Sequence, residues 1–225
     1  MGIITENLKS IKSQLPDGVK LCAISKYHPS SMIEEAHTAG QRIFGESHVQ
    51  ELMQKTDELS AYKDIEWHFI GHLQTNKVKY IAPFISLIHA VDTPKLLKEI
   101  SKQGLKCNRQ IPCLMQLHVA QEETKFGFTP DELMEYLKTG EWKTLTGADI
   151  RGIMCMASNT DDEERIHRDF QTAVQFIWRC SQEIPEMASH LSIRSWGMSG
   201  DYPIAIQEES NMVRVGTAIF GPRVY

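Results

Sequence analysis

The sequence has no C-x-x-C pair of cysteines. Its 225 residues include only five cysteines, an odd number, and several of them lie inside apolar segments. A reduced thiol in such surroundings behaves as a small hydrophobic side chain. A disulfide framework and a structural zinc site are therefore not expected, and a reducing, cytoplasmic compartment is the prediction. The cysteines are Cys22, Cys107, Cys113, Cys155 and Cys180.

Basic clusters and long apolar runs are also missing. The chain has 24 lysines and arginines against 29 aspartates and glutamates, a net charge of −5, and its basic residues are scattered. Such a sequence predicts neither a nucleic-acid partner nor a membrane span. The apolar residues between positions 3 and 15 are spaced as in an amphipathic helix. We interpret this segment as part of the fold rather than as a signal peptide.

Short apolar segments take the place of long ones. With 41% hydrophobic residues the chain can bury a substantial core. Eight of its apolar segments are of the kind that is buried on both faces in a parallel sheet. The predicted strands are residues 20–25, 42–46, 66–71, 86–91, 112–119, 150–156, 191–197 and 212–216.

Helical periodicity follows most of these strands, and several helix starts are marked. The S/T-x-x-E patterns that begin at Ser31, Thr129 and Thr160 predict capping boxes. Thr93 and Thr129 each precede a proline, which suits the first helical position. The clearest helix is predicted over residues 161–183, where apolar residues recur at intervals of three and four.

The alternation of eight strands with helices predicts an α/β fold, a single (β/α)8 TIM-type barrel over residues 1–225 with an extra N-terminal helix. A doubly wound open sheet is the structural alternative. No linker or internal repeat indicates a second domain. Because the sequence stops soon after the last strand, no helix is expected there, and the N-terminal helix is expected to cover that place.

Lys26 directly follows the first predicted strand. The chemistry of such barrels takes place at the carboxyl ends of the strands, so the amine is expected at the barrel mouth. An exposed lysine, with a pKa of roughly 10.4, is protonated at neutral pH. Partial burial favours the neutral amine, which attacks an aldehyde to form a Schiff base. On position alone, a solvated lysine at a strand end is the preferred interpretation.

The segments after the seventh and eighth strands contain glycine among small polar residues. Gly197 and Gly216 would let backbone N–H groups approach an anion, and a short helix expected to begin near Ser199 would add its positive end. Loops at these places often bind phosphate in this fold, although tight turns alone also use glycine. A lysine and a phosphate site in neighbouring strands would together hold pyridoxal 5′-phosphate (PLP), a phosphorylated aldehyde.

His68 and His72 are four residues apart, a spacing that can mark a metal site on a helix. Their segment is predicted as a strand followed by a loop, where this spacing does not place both imidazoles on one face. No metal site is therefore predicted.

Six strings spread over nearly the whole chain resemble the pyridoxal phosphate homeostasis protein family, which is related to the PLP-binding barrel of alanine racemase. The most specific are H-F-I-G-x-L-Q-x-N-K at residues 68–77 and R-x-G-T-x-I-F-G at residues 214–221. The others are A-I-S-K at 23–26, F-G-E-S-x-V-Q-E at 44–51, R-G-I-M at 151–154 and G-M-S at 197–199.

The resemblance implies a PLP site formed by matching residues. Lys26 matches the lysine that holds PLP as a Schiff base. The phosphate contacts match Ser199, Gly216 and Thr217, with backbone of Met198 nearby.

The resemblance also places Arg214 opposite the pyridine nitrogen of PLP. A guanidinium is always charged and cannot accept a proton, so it keeps that nitrogen unprotonated and weakens the ring as an electron sink. Two positions depart from the family pattern. Ser47 replaces the asparagine of a common G-E-N string, which makes the polar contact to the cofactor from the second strand, and a serine can still donate a hydrogen bond there with shorter reach. Residues 199–202 differ from the common S-x-D-M. Lys125 resembles a basic residue near the ring, or is simply a solvated loop lysine.

The implied function is PLP binding in intracellular PLP homeostasis, with reversible attachment to Lys26, supply of PLP to apo-enzymes and no catalytic residue. A PLP-dependent amino-acid racemase is the alternative. Racemisation by two bases needs a second acid/base. In such racemases that residue comes from an additional β-domain, which is not expected here because the sequence ends after the eighth strand. A Schiff-base lyase acting on a phosphorylated sugar is a third possibility. A monomer or weak dimer is expected.

Overall fold

A computed structural model of the chain describes residues 2–122 and 126–222. Eight parallel strands follow one another around a closed barrel, and β1 pairs with β8. This closure confirms the predicted barrel and excludes the open doubly wound sheet. The strands are β1 Lys20–Ile24, β2 Ile43–Glu46, β3 Glu66–Phe69, β4 Leu87–Val91, β5 Ile111–Gln116, β6 Ala148–Met154, β7 Ile193–Ser195 and β8 Met212–Val215.

Helices surround the barrel and connect successive strands. Short 3-10 segments at Thr75–Lys77 and Glu141–Thr144 complete the described connections. The helices are α1 Ile3–Gln14, α2 Ser30–Thr38, α3 Val49–Glu58, α4 Val78–Ile81, α5 Pro94–Lys106, α6 Pro130–Lys138, α7 Glu163–Glu183, α8 Pro185–Ala188, α9 Tyr202–Gln207 and α10 Thr217–Phe220.

Seven of the eight predicted strands are longer than the observed ones, and the reason is clear at β7 and β5. β7 ends at Ser195, because the chain reaches Gly197 with φ of 91°, a left-handed conformation that a strand does not continue. β5 ends at Gln116, and the next residue, Leu117, makes an isolated bridge to Phe128 in the following loop.

The threonine–proline helix starts are confirmed. Thr129 accepts a hydrogen bond from the N–H of Glu132, whose side chain accepts one from the N–H of Thr129, and this completes a capping box. Thr93 caps α5 by accepting from the N–H of Leu96, with Pro94 in the first turn. Each cap pairs an N–H that would otherwise have no partner within the helix.

The other two predicted capping boxes are wrong. α2 begins at Ser30, two residues before the start that a Ser31 N-cap would give, because the extended Pro29 is its N-cap. α7 is capped by Asp162, which accepts from the N–H of Arg165, rather than by Thr160. A carboxylate at this position also interacts favourably with the helix dipole.

A helix does follow the last strand, contrary to expectation. α10 is a four-residue helix directly after β8. The predicted N-terminal helix α1 packs against both α2 and α10, and Asn7 Nδ2 donates to the carbonyl of Ile219 at 2.9 Å. α1 therefore covers the barrel beside α10, close to the place that the sequence assigned to it.

The core has two parts. A large cluster lies between the strands and the helices, and a smaller one that includes Leu87, Leu114, Met154 and Met212 is formed by residues of the strands. The cysteines are free thiols, and burial raises the pKa of Cys22 to about 12. Among the described helices, none is long and apolar enough to cross a membrane.

Candidate functional site

A cavity of about 320 Å³ lies at the carboxyl ends of the barrel strands. This volume is in the range of small-molecule sites. Apolar walls come from Ile24, Ile70 and Met156. The barrel brings all of the residues that the sequence proposed for cofactor binding to this one cavity, namely Lys26, Ser47, Met198, Ser199, Arg214, Gly216 and Thr217.

The backbone on both sides of Lys26 is fixed. Lys26 is half-buried between the last residues of β1 and Tyr27, which has φ of 66°. The Ser25 hydroxyl donates to Glu46 Oε1 at 2.6 Å, and the Tyr27 N–H donates to Glu51 Oε1 at 2.6 Å. The lysine therefore extends from a backbone segment that two carboxylates anchor, and a non-glycine residue in the left-handed region marks a sharp turn there.

Lys55 joins those two carboxylates. Its Nζ atom donates to Glu46 Oε1 at 2.8 Å, to Glu51 Oε1 at 2.7 Å and to the carbonyl of Ser25 at 2.8 Å. All three donors of the ammonium are paired, so the charge is compatible with its burial. We call Ser25, Glu46, Glu51 and Lys55 the anchor cluster.

Reasoning from local sequence patterns missed this cluster. The available signal was the F-G-E-S-x-V-Q-E string, which contains both carboxylates, and the interval of four between Glu51 and Lys55 on α3. Neither the string nor the spacing could predict the contact of Lys55 with Ser25, because it joins α3 to the residue that follows β1, 30 positions away.

Glu46 is a member of the anchor cluster whose pKa is strongly shifted. Burial raises the pKa of Glu46 to about 7, although the Lys55 charge and the hydrogen bonds from Lys55 and Ser25 lower it. Its second oxygen, Oε2, is buried without a hydrogen-bond partner in the described structure. Such an oxygen favours the protonated carboxyl, which needs less solvation than a carboxylate.

Replacement of Glu46 by glutamine should remove a pH dependence of stability. The folded protein binds the Glu46 proton more tightly than the unfolded chain, whose carboxyl has the ordinary pKa of 4.5. The contribution of Glu46 to stability therefore falls as pH rises from about 4.5 to about 7. Relative to wild type, Glu46→Gln should gain about 3 kcal/mol of unfolding free energy across that range.

Urea unfolding of both proteins at pH 5 and pH 8 measures this gain. Glu58→Gln is the control, because Glu58 is an exposed carboxylate whose pKa is lowered by hydrogen bonds from Ser30 and Gln54. A difference between Glu46→Gln and wild type that is the same at both pH values would contradict the assigned protonation.

Arg214 reaches the cavity from inside the barrel. It is 4% exposed, and burial lowers the pKa of its guanidinium. Nη1 donates to the carbonyl and the hydroxyl of Ser195 at 2.6 and 2.7 Å, and Nη2 donates to the carbonyl of Cys155 at 2.9 Å. These bonds use three of the five N–H groups of a guanidinium and go to uncharged oxygens. The group can still donate to an acceptor in the cavity.

The loops after β7 and β8 meet at the other end of the cavity. The Gly216 N–H donates to Ser199 Oγ at 3.3 Å. A Cβ atom at Gly216 would lie 3.1 Å from the carbonyl oxygen of Ile24 and 3.2 Å from its Cβ, which is tighter than normal packing. Glycine therefore allows β8 to approach β1 at this point, with exposed Thr217 beside it.

Two details of this region differ from the sequence prediction. The short helix begins at Tyr202 rather than near Ser199. The reason is that Asp201 closes a turn first, by accepting from the N–H of Met198 at 2.5 Å. That N–H is therefore not available to a phosphate, and Met198 contributes a side chain that is 38% exposed at the cavity.

Ser47 lines the opposite wall of the cavity, after β2. Its hydroxyl lies 3.2 Å from His48 Nδ1. A Cβ atom at Gly71 would lie 2.4 Å from the Ser47 carbonyl oxygen, so only glycine permits this approach of the loop after β3. Lys125 lies outside the described residues.

The two histidines of the possible metal motif have separate partners. His68 Nδ1 lies 2.9 Å from His89 Nε2 inside the barrel, whereas His72 Nδ1 lies 2.7 Å from Asp92 Oδ2 at the mouth. Over the described ranges, no group of three or more metal-binding side chains is found.

Comparison with known proteins gives the family. A family model described as the alanine racemase N-terminal domain matches residues 2–224. The pyridoxal phosphate homeostasis protein of Vibrio alginolyticus is 34% identical over 238 residues, covering 100% of both chains. The chain belongs to the pyridoxal phosphate homeostasis protein family. The member from Aquifex aeolicus is 37% identical, over 92% of this chain and 88% of its own.

Solved structures agree with this family assignment. PipY from Synechococcus elongatus, solved with PLP bound, is 35% identical with a TM-score of 0.89, covering 97% of this chain and 100% of PipY. Alanine racemase from Clostridium difficile has a TM-score of 0.77 at 16% identity, and the match covers 56% of its length. The second likeness shows a shared fold alone. The resemblance drawn from the six sequence strings is thus confirmed.

Proposed function

We propose that this member of the pyridoxal phosphate homeostasis family binds PLP in the cavity at the barrel mouth, as a Schiff base on Lys26. PLP would supply an aldehyde carbon that an amine can attack and a ring with a characteristic absorbance. One observation carries the proposal: Lys26, Arg214 and the two loops that contain Ser199 and Gly216 all line one cavity of about 320 Å³.

The residues fit the three polar parts of PLP. Lys26 at the end of β1 would take the aldehyde. Ser199, Gly216 and Thr217 would bind the phosphate by a hydroxyl, a close backbone approach and a second hydroxyl. Arg214 would donate to the pyridine nitrogen from its remaining N–H groups, and Ser47 would donate to a ring oxygen. PipY, solved with PLP bound, supports this reading.

The proposal that the protein stores PLP depends on how weakly the bound ring would act as an electron sink. Arg214 cannot give up its proton, so it would leave a pyridine nitrogen that faced it unprotonated, and the ring would be a poor electron sink. A protein that stores PLP would gain from this, because amino acids that condensed with the aldehyde would then react only slowly. We therefore propose that the chain holds PLP in the cytoplasm and supplies it to apo-enzymes. Lys125, one residue before described Phe126, is a second candidate contact to the ring.

Titration of the purified protein with PLP tests the proposal. We expect a new absorbance band that saturates at one PLP per chain. A titration without that band would refute the binding proposal. Transfer is tested by mixing the loaded protein with an apo-enzyme in the presence of a free-PLP scavenger, where recovery of activity is expected. Amino-acid racemisation at ordinary enzyme rates that disappears with Lys26→Ala would instead support the racemase.

Arg214 variants should change the spectrum of bound PLP. In Arg214→Glu an acidic partner would protonate the pyridine nitrogen, so the absorbance band should move and acquire a new pH dependence. Arg214→Glu also leaves the Ser195 and Cys155 oxygens without their hydrogen-bond donor. Arg214→Gln, which keeps an N–H donor, is therefore measured as well. Spectra over pH 5 to 9 are the measurement.

The matched control is Arg109→Gln. Arg109 also donates to two carbonyl oxygens, of Ala82 and Ile85, but it does not line the cavity. Its variant should leave the spectrum unchanged. Unchanged spectra in folded Arg214 variants would mean that Arg214 does not face the ring.

A further inference from the structure

Four polar side chains from four strands form a hydrogen-bonded chain inside the barrel. Arg214 Nη1 donates to Ser195 Oγ at 2.7 Å, Ser195 Oγ lies 3.0 Å from His89 Nδ1, and His89 Nε2 lies 2.9 Å from His68 Nδ1. All four residues are buried, with exposures of 0 to 4%. We call this chain the barrel relay.

The relay connects two cavities. Arg214 lines the cavity at the mouth. His68 lines a second cavity, of about 200 Å³, which is bordered by Lys20, Glu66 and Met212 from the first residues of their strands. The relay therefore runs through the barrel interior, from its base to the proposed cofactor site. Nothing in the site described above requires side chains so far from the mouth.

Burial keeps both histidines neutral. It lowers the pKa of His68 to about 3, with a further contribution from the Lys20 charge. Burial also lowers the pKa of His89 well below its ordinary value, and His68 and Arg214 add to that effect. Each imidazole then has one N–H donor and one nitrogen acceptor, so the direction of each hydrogen bond depends on its tautomer.

Arg214 selects the direction of the whole chain. A guanidinium only donates, so Ser195 Oγ is the acceptor of the Arg214 bond. The only other described partner of Oγ is His89 Nδ1. If His89 donated there, the buried serine O–H would have no acceptor, which is unfavourable. The serine therefore donates to His89 Nδ1, and His89 Nε2–H donates to His68 Nδ1. His68 then carries its proton on Nε2.

We propose that Ser195, His89 and His68 are positioning residues that orient the Arg214 guanidinium toward the ring nitrogen of the cofactor. The proposal rests on the proposed PLP function for its ligand, but its internal part concerns this chain alone. Because Ser195 accepts from Arg214 through both its carbonyl and its hydroxyl, a serine hydroxyl fixed by His89 holds the guanidinium plane. Members of such chains also polarise one another.

Nitrogen NMR of the protein labelled at histidine tests the internal part without any cofactor. We expect His89 and His68 each to carry the proton on Nε2, with Nδ1 as an acceptor, and neither to titrate between pH 5 and 8. Variants in which one exposed histidine at a time is replaced identify the signals of the other imidazoles, and so assign those of His68 and His89. Protonation of Nδ1 on His89, or titration of either imidazole in that range, would overturn the relay direction and with it the proposal.

Two substitutions of His89 test the effect on the cofactor. Asparagine places an oxygen near the position of Nδ1 and can still accept from Ser195, whereas leucine cannot. His89→Leu should move the absorbance band of bound PLP and weaken PLP binding by about tenfold, the effect of one hydrogen bond to a charged group. His89→Asn should restore the wild-type band and bind within about twofold.

The outcomes separate this inference from the proposed function. If the wild-type protein binds no PLP, the proposed function and the ligand part of the inference are both refuted. The NMR result still tests the direction of the hydrogen bonds in the barrel relay. Binding with the same band in wild type, His89→Leu and His89→Asn overturns the inference alone. So does an equal loss in both variants, since that is expected of a merely structural residue. If His89→Leu does not fold, Ser195→Ala against Ser195→Thr gives the same comparison.

Discussion

Replacement of Lys26 by alanine is expected to abolish the borohydride-stable adduct of this protein with PLP. Borohydride reduces a Schiff base to a stable secondary amine, so intact-mass measurement after reduction counts the modified chains. Wild type should carry one PLP per chain, on the peptide that contains Lys26. The variant should carry none, because alanine has no amine to attack the aldehyde.

Lys102→Ala is the control for non-specific modification. Lys102 is 60% exposed in a surface ion pair with Glu99, away from the cavity, and its loss should leave the adduct unchanged. An adduct that persists in Lys26→Ala at the wild-type level would contradict the assignment. Peptide mapping would then locate the true lysine, with Lys125 examined first.

Replacement of Lys55 by methionine is expected to destabilise the fold strongly. Methionine keeps much of the side-chain volume but leaves Glu46 and Glu51 without their shared cation, and the Ser25 carbonyl without its donor. Removal of one partner from a buried ion pair costs about 3 to 5 kcal/mol. Urea unfolding at pH 8, where Glu46 is mostly ionised, measures the loss.

Lys98→Met provides a matched comparison. Lys98 lies 2.8 Å from Glu141, the same separation as Lys55 from Glu46, but it is 52% exposed against 5% for Lys55. An exposed pair contributes about 0 to 1 kcal/mol. The double variant Lys55→Met with Glu46→Gln should recover part of the loss, because the unpaired buried charge is gone. Equal losses in the two lysine variants would contradict the anchor cluster.

Loss of the anchor cluster should also affect the cofactor. Ser25 and Tyr27, the neighbours of Lys26, are both held by carboxylates that Lys55 pairs. A reactive amine is effective only when its geometry is maintained, so folded anchor variants should form the Lys26 adduct more slowly. The cluster links stability of the fold to reactivity of the site.

The position of the site could be predicted from the sequence because it depends on short-range patterns. Lys26 directly follows an apolar segment, and a residue that ends a parallel strand lies at the mouth of any closed barrel. Gly216 and Ser199 follow the last two strands by the same rule. The order of the strands then made them neighbours, since β8 pairs with β1.

The sequence was less reliable where a local pattern had competing partners. Thr160 has the pattern of a capping residue, yet Asp162 caps α7 because its carboxylate reaches the N–H of Arg165. The helix expected near Ser199 begins at Tyr202 because Asp201 binds the N–H of Met198 first. In both cases an aspartate two residues after the predicted start accepts a hydrogen bond from a backbone N–H, and the helix begins directly after that aspartate.

The sequence by itself therefore determined the alternation of strands and helices and the places of Lys26, Arg214 and the glycine loops at strand ends, because these depend on local patterns. The pairing of β1 with β8 decided that the sheet is a closed barrel and not an open one. Tertiary structure alone decided what holds those residues in place. Ser25 meets Lys55 across 30 positions, and His89 meets Ser195 across 106. Such contacts form only when the barrel closes, since buried donors and acceptors must then find partners wherever the chain has brought them.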